Sequence, residues 1–226
     1  MLYTQMSTHG SFITFEGPEG SGKSTHIRLL KAFLEARGVA VDVTREPGGT
    51  LLGDALRNLI QHDEADAPVK RAEVLLFLAC RAQHVERRIR PALEAGTWVL
   101  CDRFEDSTMA YQGYARGFDL GLLDSMNKFA ANDLRPDLTV LLDVSPETSR
   151  ARLAARLAET AAAPDRIERE HDDFHVKVRD GFLALAAGAP GRFAVINTER
   201  DREAVHADIC AAVAARFPLP ARTVTA

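Results

Sequence analysis

The nine residues from Gly17 to Thr25, GPEGSGKST, constrain the fold of this chain more than any other stretch. They fit the spacing G-x-x-x-x-G-K-[ST], with the apolar run FITF before them and an amphipathic stretch after them. In the strand–loop–helix arrangement that this context predicts, backbone N–H groups converge on a phosphate at the positive end of a helix. We therefore predict a phosphate-binding loop made of Gly17, Pro18, Glu19, Gly20, Ser21, Gly22, Lys23, Ser24 and Thr25.

Three side chains of this loop have separate expected tasks. Lys23 is expected to reach the outer phosphates of a nucleotide, and the Ser24 hydroxyl is expected to bind Mg²⁺. Glu19 places a carboxylate in a loop that holds a polyanion. Because backbone amides and not side chains face the phosphates in such a loop, we expect the Glu19 side chain to project elsewhere.

Composition limits the class of protein. The 226 residues, 46% of them hydrophobic, suit one α/β domain and are too few for two comfortable ones. A net charge of −4 gives no sign of nucleic-acid binding, and three cysteines without paired spacing suit a reducing compartment. The start of the chain lacks the basic and apolar runs of a secretion signal, and no apolar stretch approaches the length of a membrane span. We therefore expect a cytoplasmic protein without membrane or nucleic-acid partners.

Apolar runs alternate with helical patterns along the chain. The runs cover 12–16, 39–44, 97–102, 138–144 and 193–197, and the helical patterns cover 24–37, 51–61, 69–94, 119–133, 146–158, 171–187 and 202–216. This alternation predicts an α/β fold with a five-stranded parallel sheet flanked by helices on both faces.

The same patterns divide the chain into segments. A leader over 1–11 and a flexible tail over 218–226 flank a single domain over 12–217. The stretch AETAAAP over 158–164 reads as a surface excursion between charged segments.

Polar residues follow the predicted strands. In parallel sheets, ligands bind beyond the carboxyl ends of the strands, so these residues should gather around one site. They are Arg45, Glu46 and Pro47 after the second run, Asp102 and Arg103 after the third, Asp143 after the fourth, and Asn197 and Thr198 after the fifth.

Three classes of phosphate-binding protein could carry such a loop. A regulatory GTPase would need DxxG and NKxD, but Asp143 is followed by VSP and Asn127-Lys128 is followed by FA. A binding module without chemistry would not need arginines converging from several loops. A small-molecule kinase would need them, because phosphoryl transfer depends on positioning and on neutralising oxygen charge. The kinase is therefore favoured.

Five motifs then resemble, in the same order, those of bacterial thymidylate kinase. They are GPEGSGKST (17–25), TREPGGT (44–50), AEVLLFLACRAQ (72–83), DRFEDSTMAYQG (102–113) and DRIERE (165–170). The resemblance covers nearly the whole chain and implies transfer of the terminal phosphate of ATP to thymidine monophosphate, a P-loop kinase fold with a mobile lid, Mg²⁺ as cofactor, and a homodimer.

The resemblance also implies roles on the acceptor side. Glu19 would lie close to the sugar 3′-hydroxyl, Phe77 would stack on thymine, and Arg81 would donate to a ring carbonyl. Arg103 would hold the 5′-phosphate, and Tyr111 would crowd a ribose 2′-hydroxyl and so favour deoxyribose. The remaining acceptor-side positions are Arg45, Glu46, Pro47, Ser107, Thr108 and Gln112.

On the donor side, Asp102 is expected to act beside Ser24 at the Mg²⁺ site, where it orients either magnesium-bound water or Arg103, and Asn197 and Thr198 resemble the region that borders adenine. Gly20 stands where some members of the family carry an arginine, so a lid over about 150–170 would have to supply the cation for the transition state. The expected catalytic residues are Lys23, Arg103, Arg152, Arg156 and Arg166.

Two alternatives stay open at this point. The chain could be another nucleoside-monophosphate or deoxynucleoside kinase on the same scaffold, or a nucleotide-binding protein without catalysis. The favoured reaction is direct in-line transfer without a covalent enzyme intermediate. It needs no general base, because the acceptor phosphate oxygen is already ionised.

Overall fold

A computed structural model describes residues 9–61, 66–160 and 163–220. Most of the predicted leader, the last six residues of the predicted tail and two residues of the AETAAAP stretch lie outside the described residues.

The described residues form one five-stranded parallel sheet with the strand order β2-β3-β1-β4-β5. The strands are β1 (Phe12–Glu16), β2 (Val41–Arg45), β3 (Trp98–Asp102), β4 (Leu138–Asp143) and β5 (Phe193–Asn197). The sheet confirms the predicted fold class. β2 ends at Arg45, so this residue closes a strand, whereas the pattern had ended the strand at 44.

The helices follow the predicted pattern along most of the chain. They are α1 (Lys23–Glu35), α2 (Leu51–Gln61), α3 (Lys70–His84), α4 (Arg90–Glu94), α5 (Glu105–Thr108), α6 (Leu120–Ala131), α7 (Pro146–Thr160), α8 (Asp172–Gly188) and α9 (Arg202–Arg216). A π-helical turn over Val85–Ile89 joins α3 to α4, and a second over Met109–Ala115 extends α5. No helix among them is both long and apolar enough to cross a membrane.

Two stretches differ from the pattern. The helical segment over 105–115 was not predicted, because the side chains that it buries include the polar Thr108 and Gln112 and leave no apolar stripe. The start of the AETAAAP stretch, 158–160, is the last turn of α7 and not a surface loop.

Helices cover both faces of the sheet, as predicted. On one face, Ile13 and Phe15 of β1 pack in a cluster with α1 and α9. On the other face, Phe12 packs with the π-helical turn after α3 and with α6, and Leu141 packs with α8. β1 is the central strand, with β3 and β4 paired on either side. Its carboxyl end is therefore the natural position for a ligand site.

Candidate active site

The phosphate-binding loop leaves the end of β1 and enters α1. Gly17 has a φ of 135°, and a Cβ there would lie 2.3 Å from the Leu142 carbonyl oxygen, so only glycine fits this approach to β4. Lys23 is buried and its Nζ donates to the carbonyl oxygens of Gly17 at 3.1 Å and Pro18 at 2.9 Å. The Lys23 side chain therefore folds back over the phosphate-binding loop.

A cavity of about 780 Å³ opens over this loop. Among the described residues that line it, six carry a positive charge: Lys23, Arg45, Arg57, Arg103, Arg152 and Arg156. They come from the loop, from the ends of β2 and β3, and from α2 and α7. Cations that converge from five elements suit a polyanion such as a nucleotide phosphate chain. We call this space the phosphate cavity.

A narrower pocket adjoins the phosphate cavity, and Glu19, Glu46, Pro47 and Arg103 line both. Its other walls include all the predicted nucleoside-facing positions: Phe77, Arg81, Ser107, Thr108, Tyr111 and Gln112. We call this space the base pocket. The structure thus brings together residues from five separate motifs, as the resemblance implied.

Arg103 stands at the boundary of the two spaces. Its Nη2 pairs with the Glu19 carboxylate, and its Nη1 donates to the Gly17 carbonyl oxygen at 3.1 Å and to Ser107 Oγ at 3.2 Å. Burial alone would raise the pKa of Glu19, but the charges of Arg103 and Lys23 outweigh it and lower that pKa to about 2. Glu19 is therefore an ionised carboxylate at the meeting point of the cavities.

The two residues predicted to bind Mg²⁺ lie side by side. Ser24 Oγ donates to Asp102 Oδ2 at 3.3 Å, and both residues line the phosphate cavity. Hydroxyl and carboxylate oxygens are hard ligands of the kind that Mg²⁺ takes when it also binds substrate phosphates and waters. The donor set therefore fits this ion.

Arg81 is held in the wall of the base pocket by a buried polar network. It is only 1% exposed. Its Nε donates to Glu46 Oε2 at 2.9 Å, and its Nη1 donates to Asn127 Oδ1 at 2.6 Å and to Thr108 Oγ1 at 3.1 Å. His84 Nδ1 lies 3.0 Å from the other oxygen of Glu46. Glu46 lines both cavities, but its carboxylate is committed to Arg81 and His84, and not to an acceptor phosphate.

Tyr111 is one of two buried residues of the base pocket, with Gln61, that leave a polar side-chain atom without a hydrogen-bond partner within the described ranges. The residue is 6% exposed, and within the described ranges its hydroxyl oxygen has no partner. Burial raises the pKa of this hydroxyl, so it stays protonated. Its ring packs edge-on against Phe174 and Phe182 of α8. A rigid ring with an unused hydroxyl in a pocket wall is suited to contact with a ligand.

The arginines of the predicted lid lie in two places. Arg152 and Arg156 of α7 line the phosphate cavity, where Arg152 donates to the Gly20 and Thr198 carbonyl oxygens and Arg156 pairs with Glu168. Arg166 is not among the described residues that line this cavity. It pairs with Glu73 of α3 and donates to the Ile60 carbonyl oxygen at 3.1 Å. The expectation that Arg166 faces the transferring phosphates is therefore not supported.

The reason for the position of Arg166 is the burial of Glu73, which is 0% exposed. A buried carboxylate needs compensating charge, and Arg116 and Arg166 supply it. Gln112 Nε2 also donates to Glu73 at 3.0 Å, so the network fixes one wall of the base pocket. The sequence contained a signal for it, because Glu73 lies four residues before Phe77 and so on the same helix face.

The two residues expected to border adenine are not among the described residues that line the phosphate cavity. Asn197 Oδ1 accepts a hydrogen bond from the Glu199 amide at 2.8 Å. Thr198 Oγ1 donates to the Asp143 carbonyl oxygen at 3.1 Å, and its own carbonyl accepts from Arg152. Thr198 therefore contacts Arg152, which lines the cavity, but does not itself appear among the described lining residues.

One cation of the phosphate cavity was missed in the sequence. Arg57 of α2 donates to the Pro47 carbonyl oxygen at 3.1 Å. Burial and the neighbouring Arg45 lower the pKa of its guanidinium. Arg57 and Gln61 are four residues apart and both line the cavity, so their common helix face was the available signal.

A glycine loop, an adjacent hydroxyl and carboxylate, and converging arginines at the end of a parallel sheet define a P-loop kinase. The family model described as thymidylate kinase matches residues 15–209. The chain therefore belongs to the thymidylate kinase family, whose members phosphorylate thymidine monophosphate with ATP. This confirms the predicted family, fold class, reaction and phosphate donor.

Individual relatives agree with the family model. The chain is 52% identical to a thymidylate kinase of Solidesulfovibrio magneticus over 196 residues, which is 86% of this chain and 94% of the relative. It is 50% identical to one of a Geobacter species over 193 residues, covering 85% and 86% of the two chains. A crystal structure of thymidylate kinase from Ehrlichia chaffeensis superposes with a TM-score of 0.72 at 36% identity, over 91% of this chain and 99% of that one.

Replacing Glu73 by glutamine should lower the free energy of unfolding by about 3–5 kcal/mol, because the partly buried Arg116 and Arg166 lose the buried carboxylate that they share. Urea denaturation measures the change. The matched control is Glu35→Gln, which breaks an exposed pair with Lys31 on α1 and should cost less than about 0.5 kcal/mol. Equal effects of the two substitutions would contradict the structural role given to Glu73.

Proposed function

We propose that this chain transfers the γ-phosphate of ATP to thymidine monophosphate by holding the two nucleotides end to end, ATP in the phosphate cavity and thymidylate in the base pocket. The observation that carries this proposal is the position of Arg103 in the wall common to both spaces. A guanidinium there can hold the 5′-phosphate of the acceptor within reach of the donor phosphates.

On the donor side, the backbone amides of the loop bind the phosphates and Lys23 neutralises the outer oxygens. Ser24 and Asp102 would hold Mg²⁺, which supplies charge neutralisation when bound. Thr198 keeps Arg152 against the loop, where its charge adds to that of Lys23.

On the acceptor side, Phe77 supplies a face for stacking thymine, and Arg81 offers its remaining N–H to a ring carbonyl. Thr108, Gln112 and Ser107 complete the wall of the base pocket. Glu19 accepts a hydrogen bond from the sugar 3′-hydroxyl. Arg45, Arg57 and Pro47 line the phosphate cavity, and in this proposal they border the acceptor phosphate where it projects from the base pocket into that cavity. Glu46 acts through Arg81, since its carboxylate is already paired.

In the transfer step, an ionised oxygen of the acceptor attacks the γ-phosphorus and the ADP oxygen leaves on the opposite side. The enzyme needs no base, because no proton has to be removed from the attacking oxygen. Arg152 and Arg156 neutralise the charge that spreads over the transferred group. Arg166 has a different task in this proposal: it joins the 163–170 segment to Glu73 and closes the base pocket.

A coupled assay of ADP release with a panel of nucleoside monophosphates and nucleosides tests the function. We expect thymidine monophosphate to have the highest kcat/KM and thymidine to be inactive. Turnover of another monophosphate with thymidylate ignored, or turnover of a nucleoside, would assign the chain to a different kinase class. ATP binding without any turnover would indicate a binding protein.

Removing the charge of Arg156 should lower kcat by about 100-fold or more, because this cation stabilises the transferring group. The KM for thymidylate should stay within about threefold of wild type, since the residue does not line the base pocket. Steady-state kinetics of Arg156→Ala measures both. Arg150→Ala is the matched control on the same helix, because Arg150 pairs with Asp172 in solvent, and it should retain wild-type kcat.

Replacing Tyr111 by alanine should narrow the preference for deoxyribonucleotide over ribonucleotide acceptors, because the buried ring occupies the space of a 2′-hydroxyl. The ratio of kcat/KM for the two sugars of one base measures this. Tyr111→Phe keeps the ring and should keep the preference. Loss of the preference in the phenylalanine variant instead would mean that the hydroxyl and not the ring discriminates.

We further propose a homodimer that forms through the helices α2, α3 and α6, which pack side by side. Their outward faces carry exposed apolar side chains: Leu52, Leu59, Leu75, Leu122 and Phe129, the last of them 90% exposed. Apolar groups on adjacent helices are typical of a self-complementary interface. Sedimentation should show a dimer for wild type and a monomer for the double variant Leu75→Glu, Phe129→Glu; a wild-type monomer would contradict the proposal.

The site of action we propose is the cytoplasm. The described cysteines, Cys80, Cys101 and Cys210, are all free thiols, which supports a reducing compartment.

A further inference from the structure

The carboxyl group of Glu16 is buried beneath the site and has no task in the reaction described so far. Glu16 is the last residue of β1, directly before the phosphate-binding loop, and is 0% exposed. Its Oε1 accepts a hydrogen bond from the Phe104 amide at 2.7 Å, and its Oε2 lies 2.6 Å from Ser107 Oγ. Both partners belong to the turn and short helix that follow β3.

These two hydrogen bonds lie next to Arg103. The backbone of Arg103 has a φ of 69°, in the left-handed region that non-glycine residues rarely adopt. Such a conformation is strained and persists only where the surroundings hold it. The amide that Glu16 binds is the next one along the chain, and the hydroxyl that Glu16 contacts also accepts from Arg103 Nη1 at 3.2 Å. Glu16 therefore restrains both the backbone and the guanidinium of this residue.

We propose that Glu16 is a positioning residue that holds Arg103 toward the acceptor phosphate and sets the direction of the Ser107 hydroxyl. This inference rests on the proposed function, because it takes Arg103 as the residue that binds that phosphate. Glu16 itself lines neither cavity among the described residues.

The direction of the Ser107 hydroxyl follows from the protonation of Glu16. A neutral Glu16 donates its proton to Ser107 Oγ, which already accepts from Arg103. The Ser107 hydrogen then points away from both and into the base pocket, which Ser107 lines. An ionised Glu16 accepts the Ser107 hydrogen instead. The base pocket thus has one more hydrogen-bond donor when Glu16 is neutral.

The surroundings of Glu16 favour the neutral form near neutral pH. Burial and the nearby Asp106 raise the pKa of Glu16 to about 8, although Arg103 and the two hydrogen bonds oppose this. The charged and titratable groups that act on it come from every neighbouring element: Lys23, Cys101, Arg103, Asp106, Tyr111 and Arg192. The change in hydroxyl direction is therefore expected at mildly alkaline pH.

Two substitutions separate the parts of this proposal. Glu16→Gln mimics the neutral acid, because its amide oxygen accepts from Phe104 and its N–H donates to Ser107. Glu16→Ala removes both bonds. The wild-type KM for thymidylate should rise between about pH 7 and 9, and this rise should be absent in Glu16→Gln. Glu16→Ala should raise the KM for thymidylate about tenfold or more and leave the KM for ATP within about twofold.

Glu105→Gln is the matched control. Glu105, like Glu16, is a buried carboxyl, and it lies on the short helix α5 that carries Ser107. Burial and Asp106 raise its pKa to about 7, but it pairs with Arg135. This variant should keep the alkaline rise in the KM for thymidylate. The same rise in Glu16→Gln as in wild type, or equal changes of the two KM values in Glu16→Ala, would overturn the proposal. A wild-type enzyme that ignores thymidylate at every pH would overturn the proposed function instead.

Unfolding measured against pH gives a second readout that does not depend on activity. The folded protein holds the Glu16 proton more tightly than the unfolded chain does, because the pKa of this carboxyl has its ordinary value of 4.5 in the unfolded chain. Glu16 therefore favours folding at low pH. That advantage is lost progressively as pH rises from the unfolded pKa of 4.5 through the folded pKa of about 8. The free energy of unfolding of wild type should therefore decline relative to Glu16→Gln over this range, and parallel pH profiles would contradict a neutral Glu16.

Discussion

The guanidinium of Arg103 contacts three parts of the site at once. It binds a carbonyl of the phosphate-binding loop, the Glu19 carboxylate and the Ser107 hydroxyl, and so connects the ends of β1 and β3 with the short helix α5. Without this charge, Glu19 would be a largely buried anion beside the cavity that has to receive phosphates. The carboxylate in the phosphate loop is compatible with its surroundings because Arg103 compensates it.

Buried carboxylates elsewhere in the site follow the same rule. Glu46 holds Arg81 in the wall of the base pocket, and Glu73 holds Arg116 and Arg166 behind it. Buried ion pairs contribute little net stability, because desolvation offsets most of the attraction. Their effect here is geometric: each carboxylate fixes the arginines that pair with it, so that the walls of the base pocket have a defined shape before substrate arrives.

Sequence reasoning predicted the sheet and most of the helices, because apolar periodicity reports directly on which side of an element is buried. It missed the segment over 105–115, where Thr108 and Gln112 face inward. It also assigned Arg166 to the phosphates, because a charged run does not reveal which carboxylate is buried nearby. The partner of Arg166 is Glu73, which is 93 residues away in the chain.

The sequence by itself determined the phosphate-binding loop, the parallel sheet and the family, because these depend on contiguous residues: glycines that allow close backbone approach, and apolar runs of regular period. Only the tertiary structure decided which charges are compensated and which remain available to a ligand. That outcome depends on partners far apart in the chain, such as Arg103 with Glu19 at a separation of 84 residues, and on burial, which strengthens each pairing. The role of a charged side chain therefore depends on which neighbours tertiary packing places beside it.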